Sequence, residues 1–288
     1  MRIYVDGKYY SEDEAKVSVF DHGLLYGDGV FEGIRIYNKK IFRLDEHLER
    51  LYDGAKVIMI DIPLLFTELR EAVLETVRAN ELSDGYIRLV VTRGKGDLGL
   101  NPLKCPIPTI FIIAATIKIY ADEIYEQGMK VVTVSTRRNA IEALNPRVKS
   151  LNYLNNILAT LEVNRSDAGE GLMLNTEGFI TECIVDNFFL VKSGVIYTPP
   201  TSSGALQGIT RDYVMELARQ KGYEVTEKVL TLHDAYIADE CFLTGTAAEI
   251  APITVLDDRP IGTGRPGLLT RELMSSFAEN ARTCGVPI

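Results

Sequence analysis

Short segments rich in β-branched and aromatic residues, each interrupted by a tight turn, alternate along the chain with longer segments of helical periodicity. The N-terminal RIYVDGKYY contains two strand-like runs around Asp6-Gly7, and GVFEGIRIYNKKIFRL contains two more around Asn38-Lys39. Runs separated by such turns are typical of β-hairpins. The alternation of hairpins with helices predicts a mixed α/β fold of the α+β class.

Two amphipathic helices are predicted after the second hairpin. Asp45 has the residue type of a helix N-cap and precedes EHLERLYDGAKVIMI, and Pro63 is expected to start a second helix in PLLFTELREAVLETVRANEL. Apolar residues in the second segment recur at helical spacing and form one stripe, which consists of Leu65, Leu69, Val73, Leu74 and Val77. Such a helix can cover one face of a sheet.

The chain of 288 residues is long enough for two domains. The strand-like GYIRLVVTRG and PTIFIIAATI are expected to complete a smaller N-terminal domain, residues 1–118, and the polar segment 119–128 is expected to be the linker. A larger C-terminal domain, residues 129–288, should then contain a helix directly after Lys149 and three strands in GLMLNTEGFITECIVDNFFLVKSGVIYTPP.

Composition excludes several classes of protein. The net charge of −9 provides no basic face for nucleic acid, and no apolar run approaches the length of a membrane span. The N-terminus lacks the layout of a signal peptide, and four cysteines without a CxxC pair are typical of a reducing compartment. The three histidines have no metal-ligand spacing. We therefore expect a cytoplasmic protein without a metal ion.

Two charged residues stand in apolar surroundings. Lys149, in NPRVKSLNYL, is either a solvated charge at a helix start or a nucleophile, and a nucleophilic lysine needs a neutral amine. Glu182, in GFITECIVDN, would share one strand face with Ile180 and Ile184 if the strand alternates regularly. A carboxylate there needs a cation or a strong donor, unless that face meets solvent.

Two further motifs suit a phosphate. ALQGITRD places Gly208 before Ile209 and Thr210 at a predicted helix start, where unpaired N–H groups bind anions. Arg50, in EHLERL, can bind phosphate bidentately. Taken alone, the first motif is better explained by an N-cap threonine and the second by a surface arginine. Together, a lysine, a carboxylate and two anion sites indicate the protein's contribution to a pyridoxal phosphate site.

Seven segments, in order along nearly the whole chain, resemble the class IV (fold type IV) pyridoxal-phosphate enzymes, and most closely the branched-chain amino acid aminotransferases. They are YGDGVFEGIRIY, FRLDEHLERL, YIRLVVTRG, KSLNYLNNILA, GFITECIVDNFF, TPPTSSGALQGITRD and FLTGTAAEIAPI. The resemblance implies two α/β domains with the cofactor at the domain interface. It also implies a homodimer, or a hexamer built as a trimer of dimers.

The resemblance also implies roles for individual residues. Lys149 would form the Schiff base with pyridoxal 5'-phosphate, and Glu182 would keep the pyridine nitrogen protonated. The other cofactor-binding residues would be Arg50, Tyr153, Ile209, Thr210 and Thr246. The substrate-binding residues would be Tyr26, Phe31, Gly33, Arg35, Tyr86, Arg88, Thr246 and Ala247, with Arg88 meeting the distal carboxylate of glutamate.

The implied reaction moves the amino group of L-leucine, L-isoleucine or L-valine to 2-oxoglutarate, as in branched-chain amino acid biosynthesis. The partners of the chain would then be small amino acids and 2-oxo acids, with no nucleic acid and no membrane. Two alternatives share the fold: a D-amino acid aminotransferase and an aminodeoxychorismate lyase. The segment Cys183-Ile184-Val185 stands where many branched-chain enzymes have a glycine. The GIR segment at Arg35 and the YIR segment at Arg88 favour the branched-chain enzymes.

Overall fold

The computed structural model describes residues 1–117 and 120–288. The chain divides into two compact units. The first contains Met1–Ile117, Val148–Asn152 and Ala281–Ile288, and the second contains the described residues of Lys118–Arg147 and Tyr153–Asn280. Each unit combines a sheet with helices, which confirms the predicted fold class.

Strands and helices alternate along the described chain. The strands are β1 (Arg2–Val5), β2 (Lys8–Ser11), β3 (Gly29–Tyr37), β4 (Lys40–Ile41), β5 (Gly85–Thr92), β6 (Thr109–Ala115), β7 (Met129–Thr133), β8 (Glu170–Leu174), β9 (Ile180–Cys183), β10 (Asn187–Lys192), β11 (Val195–Thr198), β12 (Val225–Glu227), β13 (Glu240–Gly245), β14 (Glu249–Leu256), β15 (Arg259–Pro260) and β16 (Val286–Pro287). The helices are α1 (His22–Tyr26), α2 (Leu44–Val57), α3 (Phe66–Ala79), α4 (Asp122–Gln127), α5 (Leu154–Val163), α6 (Ile209–Gln220), α7 (Leu232–Tyr236) and α8 (Leu268–Thr283).

The sheet of the first unit is antiparallel and has the order β16-β4-β3-β5-β6-β1-β2. Both predicted hairpins are confirmed. Asp6, Asn38 and Lys39 have positive φ at the turns, as tight hairpin turns require. In the long β3–β5 pair, Gly33 lies opposite Arg88 and Arg35 lies opposite Tyr86, so these four residues share one face.

The opposite face of this sheet carries the core of the first unit. Ile34 and Ile87 are fully buried there and pack in one cluster with apolar residues of α2 and α3, including Leu48 and Val73. Burying one face of an antiparallel sheet against helices leaves the other face available for chemistry. The face that contains Gly33 and Arg88 is the one turned away from this core.

Both predicted helix starts in the first unit are wrong by a few residues. Helix α2 begins at Leu44, after Arg43 in a left-handed conformation, and Asp45 lies inside its first turn, paired with Arg70 at 2.7 Å. Helix α3 begins at Phe66, because the Glu68 carboxylate accepts the Leu65 N–H at 2.7 Å and so caps the helix there. Leu65, predicted in the apolar stripe, is exposed, whereas the other four stripe residues are buried.

The sheet of the second unit is mixed. Its order is β12-β11-β10-β13-β14-β7-β8-β9, with β15 paired to β14, and the β7–β8, β7–β14 and β11–β12 pairs are parallel. The segment predicted to hold three strands holds four, because a tight turn at residues 184–186 separates β9 from β10. There the Cys183 N–H bonds to the Asp186 carbonyl at 2.8 Å.

The segment that carries Lys149 lies in the first unit, although the sequence prediction assigned it to the C-terminal domain. The predicted linker contains helix α4, whose first turn holds Asp122 and Glu123, so its polar residues belong to a short surface helix. The predicted boundary between residues 118 and 119 lies outside the described residues. The domain limits 1–118, 119–128 and 129–288 therefore stay a prediction.

Within residues 1–117 and 120–288, every helix is too short or too polar to cross a membrane.

Candidate active site

Lys149 is held to the edge of β3 by the main chain. The Phe31 N–H donates to the Lys149 carbonyl at 3.0 Å, the Leu151 N–H donates to the Gly29 carbonyl at 2.9 Å, and Val30 and Ser150 form an antiparallel bridge. The helix predicted directly after Lys149 begins only at Leu154. Lys149 therefore lies on a strand-like segment beside the sheet and is not at a helix start.

The amine of Lys149 lies over an aromatic ring. Its Nζ is 4.6 Å from the centroid of the Phe31 ring, and the Arg88 guanidinium carbon lies 4.6 Å from the same centroid. Phe31 is buried, whereas Lys149 and Arg88 are half-buried. Cations above an aromatic face are attracted by its quadrupole, so the ring of Phe31 fixes both positive groups at one surface.

Tyr86 and Gly33 complete this surface. The Arg88 guanidinium carbon is 5.7 Å from the centroid of the Tyr86 ring. The Tyr86 side chain lies so close to Gly33 that a Cβ atom on residue 33 would overlap its hydroxyl group. Glycine is therefore required at position 33 for the Tyr86 ring to lie across β3. The result is an apolar and aromatic surface with a guanidinium beside it.

Arg50 lies in a buried cluster on the helix side of β3. Its Nε and Nη2 donate to the Glu32 carboxylate at 2.7 and 2.8 Å, and His47 Nδ1 lies 2.7 Å from the same carboxylate. Burial alone would raise the pKa of Glu32, but the neighbouring Arg50 and His47 bring it to about 2. Burial lowers the pKa of His47 despite the attraction of Glu32, so Arg50 is the cation of the cluster.

Tyr26 and Arg35 are the other predicted site residues of the first unit. Tyr26 ends α1, where its ring meets His22 edge-on at 4.9 Å between centroids and its hydroxyl donates to the Leu98 carbonyl at 2.6 Å. Arg35 shares the Gly33 face of β3, and its guanidinium carbon lies 4.9 Å from the centroid of the Tyr37 ring. Their roles in the site stay predictions.

Glu182 is one of the buried carboxylates of the second unit. Its Oε1 accepts from Arg138 Nε at 2.8 Å, and its Oε2 accepts from Asn187 Nδ2 at 3.1 Å and from the Leu206 N–H at 2.9 Å. Arg138 is also buried, and its Nη1 donates to the Asn156 amide oxygen at 3.2 Å. The cationic partner expected from the sequence is therefore Arg138.

The expected alternation around Glu182 is interrupted. A register shift between Met173 and Leu174 of β8 changes the pairing with β9, so that Ile180 packs in one apolar cluster and Ile184 in another. Glu182 lies opposite Met173, which belongs to the same cluster as Ile184. The carboxylate consequently lies among buried groups, and the solvent-facing alternative is wrong.

The donors and acceptors of the second unit suit a protonated pyridine ring with a phosphate. An ionised carboxylate can accept about four hydrogen bonds, and Glu182 accepts one at Oε1 and two at Oε2, which leaves Oε1 with capacity for a ring N–H. Helix α6 starts at Ile209 without a side-chain cap, so the N–H groups of Ile209 and Thr210 have no partner within the helix. Gly208 precedes them, and a Cβ there would overlap the Asn187 amide.

The remaining predicted residues of the second unit lie at ends of its elements. Tyr153 is the N-cap residue of α5 and is half-buried. Thr246 and Ala247 are half-buried in the turn that joins β13 to β14. Main-chain N–H groups in such a turn are available to a carboxylate or a phosphate. Their roles stay predictions.

Four residues of these clusters were not singled out by sequence. Glu32 contacts the predicted residue Arg50, Arg138 and Asn187 contact the predicted residue Glu182, and His47 contacts Glu32. A signal existed for His47, because it precedes Arg50 by one helical turn. Arg138 had none, since it approaches Glu182 only through the fold of the second unit.

Comparison with known proteins identifies the family. Residues 29–256 match the amino-transferase class IV family. A protein of Methanocaldococcus jannaschii, provisionally named a branched-chain-amino-acid aminotransferase, is 52% identical over 100% of this chain and 99% of its own length. The crystal structure of the Escherichia coli branched-chain amino acid aminotransferase matches with a TM-score of 0.94 and 38% identity, over 96% of this chain and 93% of that one.

A third relative contains a reaction-related ligand. The T.th. branched-chain amino acid aminotransferase, complexed with N-(5'-phosphopyridoxyl)-L-glutamate, matches with a TM-score of 0.93 and 38% identity, over 98% of this chain and 94% of that one. These matches confirm the resemblance found in the sequence. The chain belongs to the class IV aminotransferases.

Proposed function

We propose that this protein is a branched-chain amino acid aminotransferase, which moves the amino group of L-leucine, L-isoleucine or L-valine to 2-oxoglutarate in two half-reactions. The membership of the family and the names of full-length relatives support this activity. Pyridoxal 5'-phosphate is the cofactor, and when bound it supplies an electron sink for the bond that breaks at the substrate Cα. The residues of the chain supply positioning and electrostatics.

Lys149 is the proposed covalent anchor of the cofactor and the group that moves the proton at the substrate Cα. Its main chain is fixed to β3 and its Nζ lies over Phe31. A lysine must lose its proton before its amine can react as a nucleophile. Anchoring through the backbone leaves the side chain able to move between its two tasks.

Glu182 is the proposed partner of the pyridine nitrogen. Arg138 and the Leu206 N–H both donate hydrogen bonds to its carboxylate in a buried place. An ionised carboxylate holds the ring proton, and a protonated ring is the better electron acceptor. Arg50 and the N–H groups of Ile209 and Thr210 are proposed to bind the phosphate. Tyr153 and Thr246 are proposed to complete the cofactor contacts.

Substrate choice is carried by one observation: a guanidinium and an aromatic wall share the Phe31 surface. A branched aliphatic side chain can lie against Phe31 and Tyr86, whereas the distal carboxylate of glutamate needs a cation such as Arg88. One pocket can thus accept both substrates of the reaction. The other proposed substrate contacts are Tyr26, Gly33, Arg35, Thr246 and Ala247.

The half-reaction tests this function. The holoenzyme is mixed with single amino acids, and the conversion of the pyridoxal to the pyridoxamine form of the cofactor is followed by absorbance. We expect rapid conversion with L-leucine, L-isoleucine, L-valine and L-glutamate. Conversion by D-alanine but not by L-leucine would instead identify a D-amino acid aminotransferase. Release of pyruvate from aminodeoxychorismate, without any transamination, would identify a lyase.

We further propose a homodimer, which can assemble into a hexamer. On α5, an apolar stripe at helical spacing is between 47% and 66% exposed: Leu154, Ile157, Leu158 and Leu161. Contiguous exposed apolar side chains of this kind mark interaction surfaces. We expect Ile157→Glu to lower the mass measured by light scattering, whereas Leu268→Glu, at an exposed leucine outside the stripe, should not. An unchanged mass for Ile157→Glu would contradict the assignment of this stripe.

We also propose a cytoplasmic location and the two predicted domains, 1–118 and 129–288. The four cysteines are free, and three of them are buried. Free thiols are typical of reducing compartments. Fractionation of cells that produce the protein tests the location.

A further inference from the structure

Glu32 is the most enclosed charged group beside the proposed phosphate-binding arginine. Its side chain is 0% exposed, whereas that of Arg50 is 13% exposed. The two arginine nitrogens Nε and Nη2 meet the two carboxylate oxygens at 2.7 and 2.8 Å, so the pair is bidentate. A bidentate pair fixes the plane of the guanidinium group as well as its position.

His47 holds the other side of the carboxylate. Its Nδ1 lies 2.7 Å from Glu32 Oε2, and burial keeps the ring neutral by lowering its pKa, so Nδ1–H is the donor. His47 and Arg50 are one turn apart on α2, and Glu32 is on β3. The two neighbours together fix the orientation of the Glu32 carboxylate, and this carboxylate in turn fixes the orientation of the Arg50 guanidinium group.

We propose that Glu32 is a positioning residue for cofactor binding, which orients Arg50 towards the phosphate group without touching the cofactor itself. This inference rests on the proposed role of Arg50. A purely structural ion pair would only attach α2 to β3, and its loss would weaken every ligand alike. A positioning role instead makes the loss specific to the phosphate group, because only the phosphate depends on the direction of the guanidinium group.

Two ligands separate these possibilities. Full-length apoprotein is titrated with pyridoxal 5'-phosphate and, separately, with pyridoxal, which lacks the phosphate. We expect Glu32→Gln to weaken binding of pyridoxal 5'-phosphate by roughly tenfold or more, with little change for pyridoxal, because a charge-assisted hydrogen bond is lost. Asp28→Asn is the matched control, since Asp28 and Arg93 form another bidentate pair in the same unit, at 2.8 and 3.1 Å. It should leave the ratio of the two affinities unchanged.

His47 provides a second, milder perturbation. His47→Ala should lower the affinity for pyridoxal 5'-phosphate selectively, because Glu32 then loses the donor that fixes it. His47→Asn should restore the affinity, since an amide N–H can take the place of Nδ1–H. If Glu32→Gln does not fold, the pair of His47 variants decides the question on its own.

The outcomes separate the inference from the function on which it rests. Equal losses for both ligands in Glu32→Gln, or in His47→Ala with no rescue by His47→Asn, overturn the positioning role. Arg50→Gln is measured beside them. A selective loss in Arg50→Gln alone leaves the phosphate role of Arg50 intact and refutes the inference. No selective loss in Arg50→Gln refutes the phosphate role itself, and with it the inference.

Discussion

Arg88→Gln should separate the two classes of substrate. Arg88 lies on the face of β3 and β5 that is turned away from the core, beside the rings of Phe31 and Tyr86. Glutamine keeps much of the length and the hydrogen-bonding capacity but removes the charge. The distal carboxylate of glutamate would then be desolvated without a cation, whereas the side chain of leucine would meet the same aromatic rings.

The magnitude follows from the two kinds of contact that Arg88 makes. A hydrogen bond to a charged group contributes about 1.5–3 kcal/mol, which corresponds to roughly 10- to 150-fold in kcat/KM for glutamate or 2-oxoglutarate. The cation–π contacts with the rings contribute about 0.5–1 kcal/mol each at exposed sites, and their loss is common to all substrates. Because these ring contacts are present both before and after substrate binds, their loss largely cancels in the rate, and the half-reaction with leucine should slow by only about a few-fold.

The assay is single-turnover conversion of the cofactor, measured separately with L-glutamate and with L-leucine. Arg259→Gln serves as the control, because the Arg259 guanidinium carbon lies 4.4 Å from the centroid of the Tyr236 ring in the second unit. That variant should lose a similar aromatic contact with no change in substrate preference. Equal losses with glutamate and leucine in Arg88→Gln would show general damage to the surface and refute selective carboxylate recognition by Arg88.

Three other predictions test individual groups. Lys149→Ala should abolish both the visible absorbance of the bound cofactor and turnover while the far-UV circular dichroism stays unchanged, and residual normal transamination would contradict the anchoring role. Glu182→Gln should retain the cofactor but slow α-proton removal, measured with Cα-deuterated leucine, and a wild-type rate would refute the pairing with the pyridine nitrogen. Burial, and to a lesser extent the charge of Asp186, raises the pKa of Glu170 to about 8. Between pH 4.5, its ordinary pKa, and pH 8, the folded protein therefore keeps a proton on Glu170 that the unfolded chain has released. The free energy of unfolding, measured by urea denaturation, should therefore fall as the pH rises between these values. Glu170→Gln should make this fall less steep. An equally steep fall in the variant would show that Glu170 is not its cause.

Local signals in the sequence were sufficient for most elements of the first unit. The hairpins follow from turn residues, and the buried stripe of α3 follows from periodicity. The helix ends were missed because capping depends on geometry: Arg43 adopts a left-handed conformation, and the Glu68 side chain caps the helix at Leu65. The amino-acid composition around the two helix starts does not predict the left-handed residue or the side-chain cap.

The residues that act on the predicted site residues were harder to find than the site residues themselves. Lys149 and Glu182 stand out because charges in apolar segments need an explanation. Arg138 is 44 positions from Glu182, and the register shift between β8 and β9 leaves no mark in the residue pattern. Pairings that depend on register and on distant segments are decided by tertiary structure.

The attachment of Lys149 to β3 through its main chain bears on how a chain of this kind can acquire new substrates. The hydrogen bonds from Phe31 to Lys149 and from Leu151 to Gly29 involve only peptide groups, which nearly every residue type provides. The side chains of Phe31 and Arg88 can therefore be exchanged without displacing the backbone that carries the amine. Substitutions of pocket side chains would change which amino acids and 2-oxo acids are accepted, without changing the reaction itself. Related chains can therefore keep one chemical step while their substrates diverge.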